Sequence, residues 1–99
     1  MRKIALITGA TSGIGKACAI KFAQNNYDII ITGRRKERLE DLEKELRVFG
    51  ADVLSLNFDV RNNQEVEQYL GNLSGKWQDI DLLINNAGLA AGKEPIIEG

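Results

Sequence analysis

Three sets of residues in this sequence have the types and spacing to do chemistry. Thr8-Gly9-Ala10-Thr11-Ser12-Gly13-Ile14-Gly15 places glycines at positions 9, 13 and 15, directly after the apolar run Ile4-Ala5-Leu6-Ile7. A turn without side chains lets a ligand reach the backbone. A helix starting behind it offers unpaired N–H groups and a partial positive charge, which together suit a phosphate. Arg34, Arg35, Lys36 and Arg38 set four cations within five residues. Asp59 before Val60, and Asn85-Asn86 before Ala87-Gly88, add a carboxylate and two amides at what read as the ends of two further strands. The chain has no histidine and a single cysteine, Cys18, so a metal site would need carboxylates alone, and none cluster suitably; no metal is expected.

The elements that must position these residues follow from hydrophobic periodicity. Strand-like runs alternate with helical patterns, as in successive parallel β-α-β units. Ile4 to Ile7 is the first strand. A helix beginning with Lys16 carries Ile14, Ala17, Cys18 and Phe22 on one inner face and turns Lys16 and Lys21 outward. Tyr27 to Thr32, with three consecutive isoleucines, reads as a strand buried on both faces and closed by Gly33. A second helix runs from about Arg35 to Phe49 along the stripe Leu39, Leu42, Leu46, Phe49, with Gly50 as its cap. Asp52 to Asn57 alternates as a third strand. Asn62, with Glu65 three residues on, has capping-box spacing and opens a third helix through Val66, Tyr69, Leu70 and Leu73 to Ser74-Gly75. Ile80 to Ile84 forms a fourth strand, and residues 89–99 have no period and read as loop. Right-handed crossovers order the strands 3-2-1-4, with two helices on one face and the third on the other: a partial Rossmann-type, doubly wound α/β sheet. Ligands bind such sheets at the carboxyl ends of the strands where the order reverses, between strands 1 and 4. The glycine turn and Asn85 to Gly88 therefore meet there.

The ligand can be narrowed further. No Lys-Ser/Thr pair follows Gly15, which excludes a mononucleotide P-loop and leaves a dinucleotide cradle or a merely tight turn. An NAD site would place Asp or Glu at the end of strand 2 to hold the ribose 2′-hydroxyl. Here Gly33 is followed by Arg34-Arg35-Lys36, cations that oppose the dipole of the helix they begin by about 0.3–1 kcal/mol each. The 2′-phosphate of NADP would account for them through charge-assisted contacts; a solvated basic turn is the plainer alternative. Asp59 can accept from an adenine amino group or serve only as a turn aspartate. Asn85-Asn86 can tie strand ends and touch a ribose, or make an ordinary turn.

Taken together, Thr8-Gly9-x-x-x-Gly13-Ile14-Gly15, Asp59-Val60 and Asn85-Asn86-Ala87-Gly88 resemble the short-chain dehydrogenase/reductase family over nearly the whole chain. Thr32-Gly33-Arg34-Arg35, with Leu89-Ala90 and Lys93-Glu94-Pro95, is similar to its NADP-dependent 3-hydroxy acid (serine-oxidising) subgroup. The resemblance implies that Gly9, Ser12, Gly13, Ile14 and Gly15 line the pyrophosphate and ribose, and that Arg34 and Arg35 select NADP(H). It also implies that Asp59 and Val60 hold adenine, that Asn86, Ala87 and Gly88 contact the adenosine ribose, and that Thr8 and Asn85 brace the sheet. The family's chemistry uses a Tyr-x-x-x-Lys pair with a Ser and an Asn. Tyr27 has Ile31 four residues on and Tyr69 has Leu73, so no catalytic residue is assigned.

The expectation is that residues 1–99 are the N-terminal, dinucleotide-binding part of a hydride-transferring enzyme acting on an alcohol or carbonyl substrate, inactive alone, whose whole protein is a homotetramer. A non-catalytic NADP-binding module or redox sensor is the alternative. A net charge of −1 gives no field to recruit nucleic acid or an anionic membrane, and no apolar run is long enough to span a bilayer, which together suggest a cytoplasmic protein. With one face covered by a single helix and strand 4 at a bare edge, these residues alone are expected to be marginally stable or to associate.

Overall fold

The run Ile29-Ile30-Ile31 is fully buried and forms the centre of the sheet, as its β-branched character on both faces requires. The computed structural model describes residues 2–11, 13–86 and 96–98, the last three by their backbone. The elements are β1 (Lys3–Thr8), α1 (Gly13–Gln24), β2 (Tyr27–Gly33), α2 (Lys36–Arg47), β3 (Val53–Asn57), α3 (Asn63–Leu70), a 3-10 turn (Gly75–Gln78), β4 (Leu82–Asn85) and β5 (Ile96–Glu98). The sheet order is β3-β2-β1-β4-β5, and the four parallel strands keep the order 3-2-1-4 read from the sequence. One core joins the α1 and α2 side to the sheet through Ile7, Ile29, Ile31, Leu39, Leu42, Leu46 and Ile84. The other gathers Leu70, Leu73, Trp77 and Ile80 against Ile4, Leu6 and Ile30 on the opposite face.

Several expectations are corrected. β5 pairs antiparallel with β4 at Leu83, Ile84 and Asn85, so part of the segment read as loop is a strand and the β4 edge is not bare. The expectation of association that rested on that edge loses its support. α1 starts at Gly13, inside the segment read as turn, and its buried stripe is Gly15, Ala19 and Ala23. These small residues, spaced four apart, bring the helix close to the sheet. Cys18 and Phe22 pack at its flank, whereas Ile14 is 47% exposed. α2 ends at Arg47 and leaves Phe49 40% exposed; Gly50 follows at φ +82°, the left-handed conformation that a residue without Cβ adopts freely. α3 ends at Leu70 with Gly71 as cap, and Leu73 reaches the core from beyond the helix. Asn62 caps α3 by accepting from the Gln64 and Glu65 N–H groups, but Glu65 turns its carboxylate to the Asp59 N–H at 3.0 Å instead of closing the box on Asn62.

At the amino ends of the strands, opposite the glycine turn, charges lock the sheet. The buried carboxylate of Asp28 accepts from Arg2 Nε at 2.7 Å, Lys76 Nζ at 3.0 Å and the Asp52 N–H at 2.9 Å. Lys76 also pairs with Asp52 at 2.7 Å, and the Ile4 N–H donates to Asp81 at 2.9 Å. Burial is the largest influence on Asp28 and pushes its pKa up, yet the Asp52 N–H, Lys76 and Arg2 together hold it below the usual carboxylate value. Asp52 is lowered chiefly by its hydrogen bond from Lys76. A carboxylate whose pKa is lower folded than unfolded contributes stability that is complete above its unfolded pKa and is lost as pH falls through the folded one. Chemical unfolding should therefore become easier below about pH 4. Asp28→Asn should cost roughly 3 kcal/mol at pH 7 and flatten that acid slope, a result checked by urea titrations at several pH values. An unchanged slope would show that these ion pairs are not the source.

Candidate functional site

The site is built from the carboxyl ends of the strands. Gly9 and Gly13 have φ of +60° and +41°, a region that costs other residues about 1–2 kcal/mol. The Ala10 N–H donates to the Thr32 carbonyl at 3.0 Å, pinning the turn over the end of β2. From the other side, Asn86 Nδ2 donates to the Gly9 carbonyl at 2.9 Å, and Thr8 Oγ1 donates to Asn85 Oδ1 at 2.9 Å. The turn is thus tied to β2 and to the end of β4, so the two distant motifs do meet. Gly15 makes this closeness possible: a Cβ there would fall 2.6 Å from Asn86 Nδ2 and press on the Gly9 carbonyl. With Gly13 to Gly15 as the first turn of α1, the unpaired N–H groups of the helix start belong to the glycine motif itself.

A cleft of about 440 Å³ lies above these ends. Its walls are Gly9, Thr11, Gly13 and Ile14 from the turn; Thr32 to Arg35 with Arg38 from β2 and α2; Phe58 to Arg61 after β3; and Asn86 after β4. Of the expected site residues, Gly9, Gly13, Ile14, Arg34, Arg35, Asp59, Val60 and Asn86 line it. Gly15 is buried behind the wall and shapes it from there. Ser12, Ala87 and Gly88, also expected to line the site, fall outside the described residues. The exposure of Ile14, odd for a core residue, is accounted for by its place in the cleft.

Thr11, Thr32, Gly33, Phe58 and Arg61 also line the cleft and were not singled out as site residues by sequence reasoning. Phe58 stacks on Tyr69 with ring centroids 4.8 Å apart, which fixes the segment after β3. Arg61 forks onto Asp59: its Nε lies 3.1 and 3.2 Å from the two carboxylate oxygens, one terminal nitrogen lies at 2.9 Å, and its backbone N–H donates at 2.9 Å. These Arg61 hydrogen bonds are the main cause that lowers the Asp59 pKa to about 2. An adenine amino group would have to share the carboxylate. The signal for Thr32 was a lone hydroxyl closing a run of isoleucines.

The charges around the opening are uneven. Arg34, Arg35 and Arg38 are exposed, and none forms an ion pair among the described residues. Arg35 is the N-cap of α2 but makes no side-chain cap, and Glu37 is the only acid in the first turn. The helix start therefore sets its N–H donors beside three guanidinium groups that form no ion pair among the described residues, Arg34 being near enough to Asp59 to help lower its pKa, and this arrangement favours a bound anion. Deeper in the cleft, Thr32 Oγ1 and Asn86 Oδ1 are buried with no hydrogen-bond partner.

The chain is similar to known proteins in sequence and in fold. An NADP-dependent 3-hydroxy acid dehydrogenase of Salmonella typhi is 49% identical over 92 residues, which is 93% of this chain and 36% of that protein. The chain thus spans about a third of the length of such relatives. Among solved structures, a short-chain dehydrogenase/reductase from Sinorhizobium meliloti superposes with a TM-score of 0.80 at 32% identity, over 89% of this chain and 41% of that one. The closed form of a serine dehydrogenase complexed with NADP+ gives 0.73 at 41% identity, over 81% and 31%. The short chain dehydrogenase family model runs from residue 3 to residue 98, through every element that builds the cleft, and the chain belongs to the short-chain dehydrogenase family.

Proposed function

We propose that this chain forms the NADP(H)-binding part of a short-chain oxidoreductase that moves a hydride between nicotinamide and an alcohol or carbonyl carbon, with a 3-hydroxy acid such as serine as the substrate class. One observation carries this reading: the glycine turn and three unpaired arginines open onto the same cleft. Its residues fit the nucleotide. The left-handed glycines and the start of α1 offer backbone donors to a pyrophosphate, the arginines at the start of α2 offer cations to a 2′-phosphate, and two buried polar atoms await partners. When bound, the cofactor supplies a hydride acceptor or donor at C4 of nicotinamide. The chain's own residues bind and orient it: the turn fixes the phosphates, while Arg34 and Arg35 set the choice of nucleotide. The relatives that oxidise 3-hydroxy acids and serine support the substrate class.

The test is a titration of the whole protein that contains these residues with NADPH and NADH, followed by assay of reduced nicotinamide formation from NADP+ with serine and other 3-hydroxy acids. Tighter NADPH binding with turnover is the expected result. Equal affinities would remove the 2′-phosphate assignment, and binding without turnover on any alcohol would favour a non-catalytic module.

A further inference from the structure

Thr32 is 0% exposed, and its Oγ1 has no hydrogen-bond partner among the described residues. Native structures rarely leave a buried hydroxyl unpaired, because it loses water and gains nothing in exchange. Its main chain is already in use, since the Thr32 carbonyl takes the Ala10 N–H. Valine at this position would extend the apolar strand, fill the same shape and remove the unpaired atom. The hydroxyl therefore works against the stability of the free protein.

Its place says what it is for. Strand alternation and the pairing of Thr32 with Leu56 put it on the face shared by Ile30, Leu54 and Leu56, at the point where β2 reaches the cleft. Gly33, Arg34 and Arg35 follow it directly, and Phe58 to Val60 line the same cleft from the neighbouring strand β3. Under the function proposed above, on which this step rests, those residues surround the adenosine half of the nucleotide. We propose that the Thr32 hydroxyl, unpaired among the described residues, is a cofactor-binding group that hydrogen-bonds the adenosine half of the bound dinucleotide, the part that NAD and NADP share.

The full chain and its Thr32→Val and Thr32→Ser variants test this, with NADPH and adenosine 2′,5′-bisphosphate as ligands and thermal unfolding of the ligand-free protein as a second readout. Thr32→Val should raise the unfolding midpoint without ligand by about 2–4 °C. It should weaken both ligands about threefold to tenfold, the effect of one neutral hydrogen bond. Thr32→Ser, which keeps the hydroxyl, should bind both like the wild type. A lowered midpoint in the ligand-free valine variant would show that the hydroxyl is already paired, for example by an internal water, and would overturn the inference. So would unchanged affinity, or a loss confined to NADPH. A wild-type chain that binds neither ligand removes the nucleotide reading and this inference with it, whereas wild-type binding that the valine variant leaves untouched removes the inference alone.

Discussion

Gly15→Ala is expected to destabilise the protein by about 2–3 kcal/mol and to weaken NADPH binding more than tenfold. Position 15 lies in α1, where alanine would ordinarily be favoured over glycine by about 1 kcal/mol, so helix propensity predicts the opposite sign. Space decides the outcome. The new Cβ would sit 2.6 Å from Asn86 Nδ2 and against the Gly9 carbonyl, the two partners of the bond that ties β4 to the turn. Neither partner can retreat without opening that bond, and a backbone carbonyl gives less than a side chain. Relief must come from α1 moving away, which also moves the N–H groups that face the cleft. Gly13→Ala is the control, since a Cβ there meets nothing within 4 Å but must accept φ of +41°. It should cost only about 1–2 kcal/mol, through the backbone alone. Urea unfolding and NADPH titration of both variants check this; a Gly15→Ala protein as stable as the wild type would show that the turn and helix are not in the tight contact described.

The second expectation separates binding from stability. Arg34→Ala/Arg35→Ala in the full chain should lower NADP affinity by about 10²–10⁴-fold, since hydrogen bonds to charged groups contribute roughly 1.5–3 kcal/mol each. NAD affinity should change little, and the salt dependence of binding should diminish. The fold should not suffer, because both side chains are exposed and neither is in an ion pair among the described residues. Removing cations from the start of α2 should even stabilise it, by about 0.3–1 kcal/mol each. Unfolding and binding measured on one preparation read both signs. A parallel loss of stability and affinity, or an equal loss of NAD and NADP affinity, would sink the assignment.

The parallel sheet was legible in the sequence because its signals are local and redundant. Ile29 to Ile31 reads as a strand buried on both sides, Leu39, Leu42 and Leu46 share one helical face, and right-handed crossovers with the glycine turn on the first strand favour the Rossmann order 3-2-1-4, which the structure keeps. The cleft followed from that order, which brought Gly9 and Asn86 together across 77 residues. What escaped was whatever depends on a partner the sequence does not mark. Ile14 looks like a core residue by phase and is instead half exposed at the cleft. Asp59 reads as a free acceptor until the turn after β3 curls Arg61 back onto it, a two-residue fork set by backbone geometry. β5 has three residues, too few for a period, and its partner strand begins 14 positions earlier. The Asp28, Asp52 and Lys76 network joins segments up to 48 residues apart, and no spacing rule announces it.

That network has a consequence for how such a protein can change. The ion pairs of Asp28 and Asp52 are at the amino ends of the strands, while the arginines proposed to face the nucleotide line the cleft at the carboxyl ends, on side chains that form no ion pair among the described residues. On the proposed assignment, cofactor preference is free to drift: a substitution at Arg34 or Arg35 would move the protein from one nucleotide to the other without first passing through an unfolded intermediate sequence, whereas Asp28 has no such freedom. Diversity among relatives should accordingly concentrate at one pole of the sheet and be scarce at the other.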